Sequence, residues 1–413
     1  MATVMLLGGS NAQVSAARHL KAMGHRAVLV DYLEDPPAKA VCDVHVRAST
    51  FDADACIRAA REHRVDGVFT LGTDQPVFTA ALVADALGLP SAISVDTARK
   101  ATDKRAMKEA FRRFSVPHAP YALLKPGDGP EALSRLEPPL VLKPVDSQGQ
   151  RGVFKLDSRE EAVSRLPEAL SFSRAGEALV EQYCPSTEVT LSCFAWEGRA
   201  HVLSLTDRQL VDDPVHLGVC RAHRYPSVHA ARFSEFQALA ERTAEALGVQ
   251  RGPLYIQMLV GDGGILVNEA ACRIGGAFED AFLPRISGFD ILDASLRLAL
   301  GGEPDVRALG RPPEGDWQVS VQMLFCRPGV VARVTPVDEV LRFPGVLLAG
   351  YNYGVGSRLP KMENAVARFG HCVLASRGGD MADRVGALYR ALRIEDAQGE
   401  NLLLPGSYDD LTR

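Results

Sequence analysis

The sequence predicts an α/β unit followed by α+β structure, and three observations predict it. Strand-like and helix-like segments alternate strictly over roughly the first 95 residues. Near Ser94-Val95-Asp96-Thr97 that alternation gives way to a mixed order. The last hundred residues, after the linker-like Arg311-Pro312-Pro313-Glu314-Gly315, are mixed again. A βαβα order implies a parallel sheet with helices on its faces, whereas mixed order implies antiparallel pairing.

Val4–Leu7 reads as a short apolar strand ending at Gly8-Gly9, and a helix follows with Ala16, Ala17, Leu20 and Met23 on one face, stopped by Gly24. Ala27–Val30 is the second strand, a helix occupies the stretch around Asp54–His63, Val65–Leu71 is the third strand, and a helix from Pro76 ends at Gly88. Ser94 or Asp96 then caps one helix carrying Ala106, Met107, Ala110, Phe111 and Phe114. Lys125–Pro130 is an exposed connection. Leu140–Phe154 reads as strand, loop, strand, and Ala178–Tyr183 as another strand. Tyr255–Leu259 and Ile265–Glu269 form a hairpin about the turn Gly261–Gly264. A helix from about Ile291 ends at Gly301-Gly302. Strands at Val319–Phe325 and His371–Ala375 precede a final helix near Met381–Leu392.

A chain of 413 residues is too long for one simple core, so two or three domains are expected. The breaks place them at 1–95, 96–305 and 306–413. The formal net charge of −5 and the absence of a Lys/Arg-rich run argue against nucleic acid or an anionic membrane as partner. The start of the chain lacks the features of a signal peptide, and no segment is apolar for about 18 residues, so a cytoplasmic protein is expected. Eight scattered cysteines without a Cys-x-x-Cys pair read as free thiols, Cys272 included, rather than as a zinc site or disulfide framework.

The segment Lys143-Pro144-Val145-Asp146-Ser147-Gln148-Gly149-Gln150-Arg151-Gly152-Val153 carries the first chemical signal. Its small residues let the backbone fold around an anion and offer N–H donors to phosphate oxygens, and Lys143 brings a positive charge to the same place. Asp103-Lys104 adds a second lysine upstream. Downstream, a strand ends at Glu181-Gln182-Tyr183, where backbone groups can meet an adenine edge, and Glu188 can accept from ribose hydroxyls. In the hairpin, Gln257 and Glu269 can sit side by side and offer oxygens to Mg²⁺. Arg273 follows four residues later, ahead of Gly275-Gly276. Each element alone also has a reading as a turn or a surface charge; their joint order does not.

In that order the chain resembles the ATP-grasp superfamily over residues 1 to about 400, in the subgroup of biotin carboxylase, carbamoyl phosphate synthetase and the carboxylate–amine ligases. The resemblance implies a Rossmann-like preATP-grasp domain, an ATP-grasp fold with a mobile lid at about 117–180, and a small mixed C-terminal domain. It implies ATP and Mg²⁺, with Mn²⁺ as the alternative ion. Lys104 and Lys143 would contact the phosphates, with Ser147, Gly149, Gly152 and Val153 folding over them. Glu181, Gln182 and Tyr183 would form the adenine hinge, and Glu188 would bind ribose. Gln257 and Glu269 would hold the metal, and Arg273 would stabilise the acyl phosphate and the tetrahedral intermediate, with Gly275 and Gly276 beside the substrate.

Two departures stand out. Many members carry an acid where this chain has Gln257, and many carry asparagine where it has Ala271. Asn268-Glu269-Ala270-Ala271-Cys272-Arg273 is closer to the form in carboxyaminoimidazole ribonucleotide synthetase, whose following His-Asn-Ser-Gly-His is absent here. The N-terminal Gly8-Gly9-Ser10-Asn11 fails Gly-x-Gly-x-x-Gly, which argues against NAD; the resemblance implies that it lines the acceptor or effector side of the cleft. Thr73-Asp74 reads either as part of that cleft or as a helix cap. The loop Thr206–Pro214 and the stretch Cys220–Ser227 supply Arg208, Arg221, His223 and Arg224 as candidates for an anionic substrate.

The reaction so implied joins a small-molecule carboxylate to an amine through an acyl phosphate, releasing ADP and phosphate. A bicarbonate-activating carboxylase, a weakly active ATP-binding module and a carboxylate–thiol ligase are the alternatives. Self-association, if any, is expected as a homodimer, the commonest arrangement of soluble homo-oligomers.

Overall fold

The computed structural model describes residues 1–211, 217–311, 315–406 and 408. The middle of the predicted linker at 311–315 and the Asp212–Pro214 end of the predicted substrate loop lie outside the described residues.

The first unit alternates as expected, with one strand more: β1 (Thr3–Leu7), α1 (Asn11–Ala22), β2 (Arg26–Asp31), β3 (Val44–Arg47), α2 (Ala53–Glu62), β4 (Gly67–Phe69) and α3 (Gln75–Leu87). The sheet is parallel in the order β3-β2-β1-β4. The strand at Val44–Arg47 escaped the sequence reading because it has only four residues, none fully buried, at a sheet edge. Gly88 ends α3 in a left-handed conformation, the state a glycine adopts without steric cost.

The helix expected from Ser94 through Phe114 is two helices, α4 (Val95–Thr102) and α5 (Lys104–Arg113). Ser94 caps the first through the Thr97 N–H; Asp103 is extended and caps the second through the Ala106 N–H. Asp103 terminates one helix and starts the next because its carboxylate satisfies an orphan donor better than a continued helix would. The break makes Lys104 the first residue of α5, with its N–H donated to the Val145 carbonyl beside the Gly-rich loop.

A small antiparallel sheet follows, built from β5 (Tyr121–Leu124), β6 (Leu140–Pro144), β7 (Phe154–Leu156) and, after α6 (Arg159–Leu170), β8 (Ala178–Gln182). Its order is β5-β8-β6-β7, and Leu140, Leu142, Leu156, Leu166 and Val180 form its own core. The chain then enters β9 (Thr187–Trp196), β10 (Arg199–Leu210), β11 (Cys220–Tyr225), α7 (Phe233–Leu247), β12 (Gly252–Gly261), β13 (Gly264–Ala271), α8 (Glu279–Ser287) and α9 (Ile291–Ala299). The C-terminal part adds β14 (Trp317–Leu324), β15 (Gly329–Val330), β16 (Arg333–Val334), α10 (Val337–Val340), β17 (Val346–Tyr351), β18 (Arg358–Leu359), β19 (Gly370–Arg377), α11 (Met381–Ala391) and β20 (Ile394–Glu395).

One antiparallel sheet of eight strands, β13-β12-β9-β10-β11-β14-β19-β17, runs across the expected boundary at 305 without interruption. Phe278, Phe282 and Phe289 from around α8 pack in one buried cluster with Leu6 and Leu29 of the first sheet and Val319 and Val373 of the last strands. All three regions therefore contribute to one core, and a cleft lies between them. No described helix is long and apolar enough to cross a membrane.

Candidate active site

A cavity of about 650 Å³ lies where the three regions meet. Its walls include Ser10, Thr73 and Asp74 from the first sheet, Lys104, Lys143 and the Gly-rich loop, Glu181 to Glu188, one face of β12 and β13, and Arg368 from the C-terminal part. Side chains alternate along a strand, and Tyr255, Gln257 and Leu259 are the β12 residues that reach it.

Lys143 ends β6 and Glu181 nearly ends β8, with Val141 and Glu181 partners in the ladder. Glu181 is 4% exposed, and its carboxylate is clamped between two ammonium groups, Lys143 and Lys108, the latter at 2.7 Å. Burial alone would push this carboxyl up; the two lysines outweigh it and hold it down at about 2. Lys108 is itself fully buried, donates to the Asn268 carbonyl at 3.0 Å, and has no counterpart in the sequence reading. The Glu181 side chain is thus committed to the lysines. Gln182 and Tyr183 also line the cavity, and Lys155 stands 4.0 Å over the Tyr183 ring.

The loop after Lys143 is held at both ends. Lys104 Nζ donates to the Ser147 carbonyl at 2.8 Å, and Ser147 Oγ donates to the Arg151 carbonyl. Gln148 Oε1 accepts from Thr73 Oγ1 and from the Asp74 N–H, while the Gly149 carbonyl accepts from the Ala365 N–H. The loop therefore bridges the first and last parts of the chain. Gly149, Gln150 and Gly152 all have positive φ, a conformation that glycine adopts without steric cost. Ser147, Gly149 and Val153 line the cavity. Gly152 instead faces Pro144, Ala169 and Phe172, leaving no room for a side chain.

Gln257 and Glu269 are direct cross-strand partners, as the hairpin predicted. The ladder slips immediately afterwards: Met258 pairs with Val267, so Asn268 is an extra residue, a β-bulge. Neighbours in a regular strand point to opposite faces, but a bulge re-aims one, and both Asn268 and Glu269 reach the cavity. Asn268 Oδ1 accepts from Lys143 at 3.2 Å, and Lys104 stands 4.0 Å from Glu269. Burial raises the Glu269 carboxyl, but Lys104, Lys143 and Arg273 lower it further, so it is ionised. An amide oxygen and an ionised carboxylate are hard donors that suit Mg²⁺. Ala271 pairs with Tyr255 and has no polar atom to add. Among the described residues no cluster of three His, Cys, Asp or Glu side chains exists, so bound nucleotide and water would complete any coordination here.

Arg273 is buried, lies with its guanidinium 4.7 Å from the Tyr255 ring centroid, and pairs through Nε and Nη2 with Asp74. Asp74 precedes α3 but makes no side-chain cap, so of the two readings of Thr73-Asp74 the cleft reading holds. Gly276 lines the cavity; Gly275 lies behind it, and a methyl group there would come 2.0 Å from Glu279 Oε1. Burial holds the Cys272 thiol up at about 12, which removes it as a nucleophile.

The loop expected to present Arg208, Arg221, His223 and Arg224 is strand for all four residues. Arg208 and His223 are cross-strand partners, and both line the cavity. Arg208 donates to Glu188 at 3.0 Å and to the Tyr255 hydroxyl at 3.3 Å. Arg221 and Arg224 do not line it. A register slip between Gln209 and Leu210 makes Arg221 a bulge residue, so Cys220 and His223 face in while Arg224 stacks 5.0 Å over the Tyr408 ring. Burial, then Arg208 and Arg368, keep His223 neutral.

Residues 136–280 match the ATP-grasp domain family, and residues 322–395 match L-amino acid ligase C-terminal domain 2. The chain carries an ATP-grasp domain joined to the C-terminal domain of an L-amino acid ligase. It is similar to an L-arginine-specific L-amino acid ligase of Bacillus subtilis, 22% identical over 311 residues that cover 73% of this chain and 74% of the relative. It is also similar to N5-carboxyaminoimidazole ribonucleotide synthase of the same species, at 25% identity over 66% of this chain and 70% of that one. The solved L-amino acid ligase of Bacillus licheniformis superposes with a TM-score of 0.78 over 96% of this chain and 99% of that one, at 18% identity. These relatives are ADP-forming ATP-grasp ligases that form C–N bonds.

Proposed function

We propose that this ligase activates a small-molecule carboxylate as an acyl phosphate and passes the acyl group to an amine, releasing ADP and phosphate. The observation that carries this reading is the meeting, in one cavity, of Lys104, Lys143, the Gln257–Glu269 pair and Arg273. The proposed roles are as follows. Lys104 and Lys143 bind nucleotide phosphates, helped by N–H groups of Ser147 to Val153. Gln182 and Tyr183, at the end of β8, face the base, and Glu188 the ribose. Gln257 and Glu269 hold Mg²⁺, which when bound supplies charge neutralisation at the phosphates.

The substrate carboxylate attacks the terminal phosphorus, and ADP departs. Lys104 and Lys143 are already oriented by Ser147, Asn268 and Glu181, so they stabilise the developing charge without reorganising. The docked loop excludes water that would hydrolyse the intermediate. The amine then attacks the acyl carbon, phosphate leaves, and Arg273, fixed by Asp74, donates to the oxyanion. No protein nucleophile is required.

Carboxylate-dependent ADP release tests this reading, with amines and bicarbonate as separate arms. Lys143→Ala and Glu269→Ala should each lower ADP formation by about 100-fold or more, the scale of removing one stabilising charge, with the fold preserved by circular dichroism. Near-normal turnover in both would sink the assignment. ADP release with bicarbonate alone would favour the carboxylase alternative.

A further inference from the structure

Four carboxylates line the cavity, and each faces a cation: Asp74 pairs with Arg273, Glu181 with Lys143, Glu188 with Arg208, and Glu269 with Lys104. Arg151 turns its Nε to the Gln148 carbonyl. Arg368 stands apart. It lines the same cavity, no carboxylate among the described residues lies within ion-pairing distance of it, and its Nε is shut from water without a hydrogen-bond partner. A guanidinium left so is costly unless something completes it.

Its surroundings are cationic or neutral. Among the residues lining the cavity, Arg208, Cys220, Tyr255 and His223 are its electrostatic neighbours. Burial keeps the Cys220 thiol and the Tyr255 hydroxyl protonated and the His223 ring uncharged, so none of the three supplies a counter-charge. Glu188 is already taken by Arg208. The backbone of Arg368 is nevertheless fixed: its N–H donates to the Ala365 carbonyl, and its own carbonyl accepts from Asn352 Nδ2. A cation is therefore presented by a held backbone into a space that lacks its anion.

The position relative to the reacting end is also defined. Arg273 lies over the face of Tyr255, and Arg208 Nη1 meets the hydroxyl of that same ring at 3.3 Å. Arg273 and Arg208 are thus separated by a single tyrosine side chain, and Arg368 is an electrostatic neighbour of both Arg208 and Tyr255.

We propose that Arg368, with Arg208 beside it and neutral His223 on the same wall, forms a subsite for a second carboxylate, distinct from the one that is phosphorylated. That carboxylate belongs either to the acceptor, which is then an amino acid rather than a simple amine, or to the side chain of a dicarboxylic donor. A planar guanidinium fork recognises a carboxylate through paired donors, which fixes orientation as well as charge. The subsite deepens the ligase reading and rests on it for its place in the reaction.

Matched substrates test it. Acceptor amino acids are compared with their carboxamides, and aspartate or glutamate as donor with asparagine or glutamine, using ATP, Mg²⁺ and the full chain. In one of the two arms the acid should be preferred in kcat/KM by a factor on the order of 100, the scale of one desolvated charge pair. Arg368→Gln should collapse that ratio to a few-fold, mainly through KM, and Arg368→Lys should restore part of it. The arm that responds identifies which substrate carries the carboxylate. A ratio unchanged in Arg368→Gln, or no preference in either arm, overturns the subsite. If no pair releases ADP, the ligase reading fails separately. Calorimetric titration of the same acids and amides, with a non-hydrolysable ATP analogue present, reads the subsite without turnover. An acid preference lost in Arg368→Gln supports it there, and equal affinities for every pair overturn it.

Discussion

Replacing Glu181 by glutamine separates two roles for that residue. If it reads adenine, the change alters base selection. If it is the clamp that positions Lys143 and Lys108, the change loosens both lysines and leaves base selection alone. The carboxyl titrates at about 2 where an unperturbed one titrates at 4.5. Each factor of ten corresponds to about 1.4 kcal/mol, so the pairing favours the ionised form by about 3 kcal/mol. Both groups are nearly inaccessible, with side-chain exposures of 5% for Glu181 and 1% for Lys108, so solvent screens little of this. Glu181→Gln should therefore lower unfolding stability at pH 7 by about 3 kcal/mol, read by urea denaturation. The folded-state value is depressed, so the wild-type contribution is present above pH 4.5 and disappears as pH falls toward 2. The gap between wild type and variant should close over that window. The variant should also raise KM for ATP by about tenfold or more through a misplaced Lys143, while the preference for ATP over GTP stays the same. Unchanged stability together with lost ATP preference would refute the clamp.

Three further outcomes follow from the same geometry. Gln257→Glu supplies the second carboxylate opposite Glu269, so the Mg²⁺ concentration for half-maximal activity should fall by about tenfold; a rise would mean that the pair does not hold the ion. Gly275→Ala puts a methyl group 2.0 Å from Glu279 Oε1 and 2.5 Å from the Tyr255 ring. It should cost about 1–3 kcal/mol of stability and lower kcat by disturbing the Tyr255–Arg273 stack, and a wild-type melting curve would count against it. His371 stacks 3.6 Å from Phe278, and burial first, then Arg368, hold it down at about 3. The unfolded chain binds that proton from pH 6.5 downward and the folded one does not, so stability falls with pH. Between pH 6.5 and 4.5 His371→Phe should spare about 2 kcal/mol of the loss, measured as urea midpoints at both values.

The hairpin pairing of Gln257 with Glu269 was legible because a glycine turn fixes register and register fixes the opposite residue. The alternation of the first unit was legible for the same local reason, down to Gly88 as a helix stop. What escaped depends on slips that leave no mark in composition. Bulges at Asn268 and Arg221 re-aim neighbouring side chains, and this is why Asn268 enters the cavity and Arg221 does not, whereas Arg224 is turned away by the ordinary alternation after His223. The split between α4 and α5 turns on one cap, Asp103, inside a pattern that stays helical on both sides. Lys108 did leave a signal: it lies beside Met107 and three residues before Phe111, on the face that packs inward, where an ordinary lysine is not tolerated without a partner. Arg368 left none. It lies nearly a hundred residues beyond the last motif, and only the return of β17 and β19 to the common sheet brings it to the cavity.

The pairing of each cavity carboxylate with a cation also explains why the lysines and arginines can act at all. Long cationic side chains lose considerable rotamer entropy when fixed, about 2 kcal/mol each. A site that ordered them only on arrival of the nucleotide would spend binding energy on that ordering. Here Glu181, Asp74 and Glu188 hold Lys143, Arg273 and Arg208 beforehand. The same pairs would neutralise the site if the numbers matched, but they do not. The cavity is lined by six lysines and arginines (Lys104, Lys143, Arg151, Arg208, Arg273, Arg368) and four acids (Asp74, Glu181, Glu188, Glu269), and Lys108 lies just behind. The surplus is positive yet small against a triphosphate. Under the proposed roles, tight nucleotide binding then requires a divalent cation to share the charge, and orientation rather than bulk positive potential supplies the catalytic advantage.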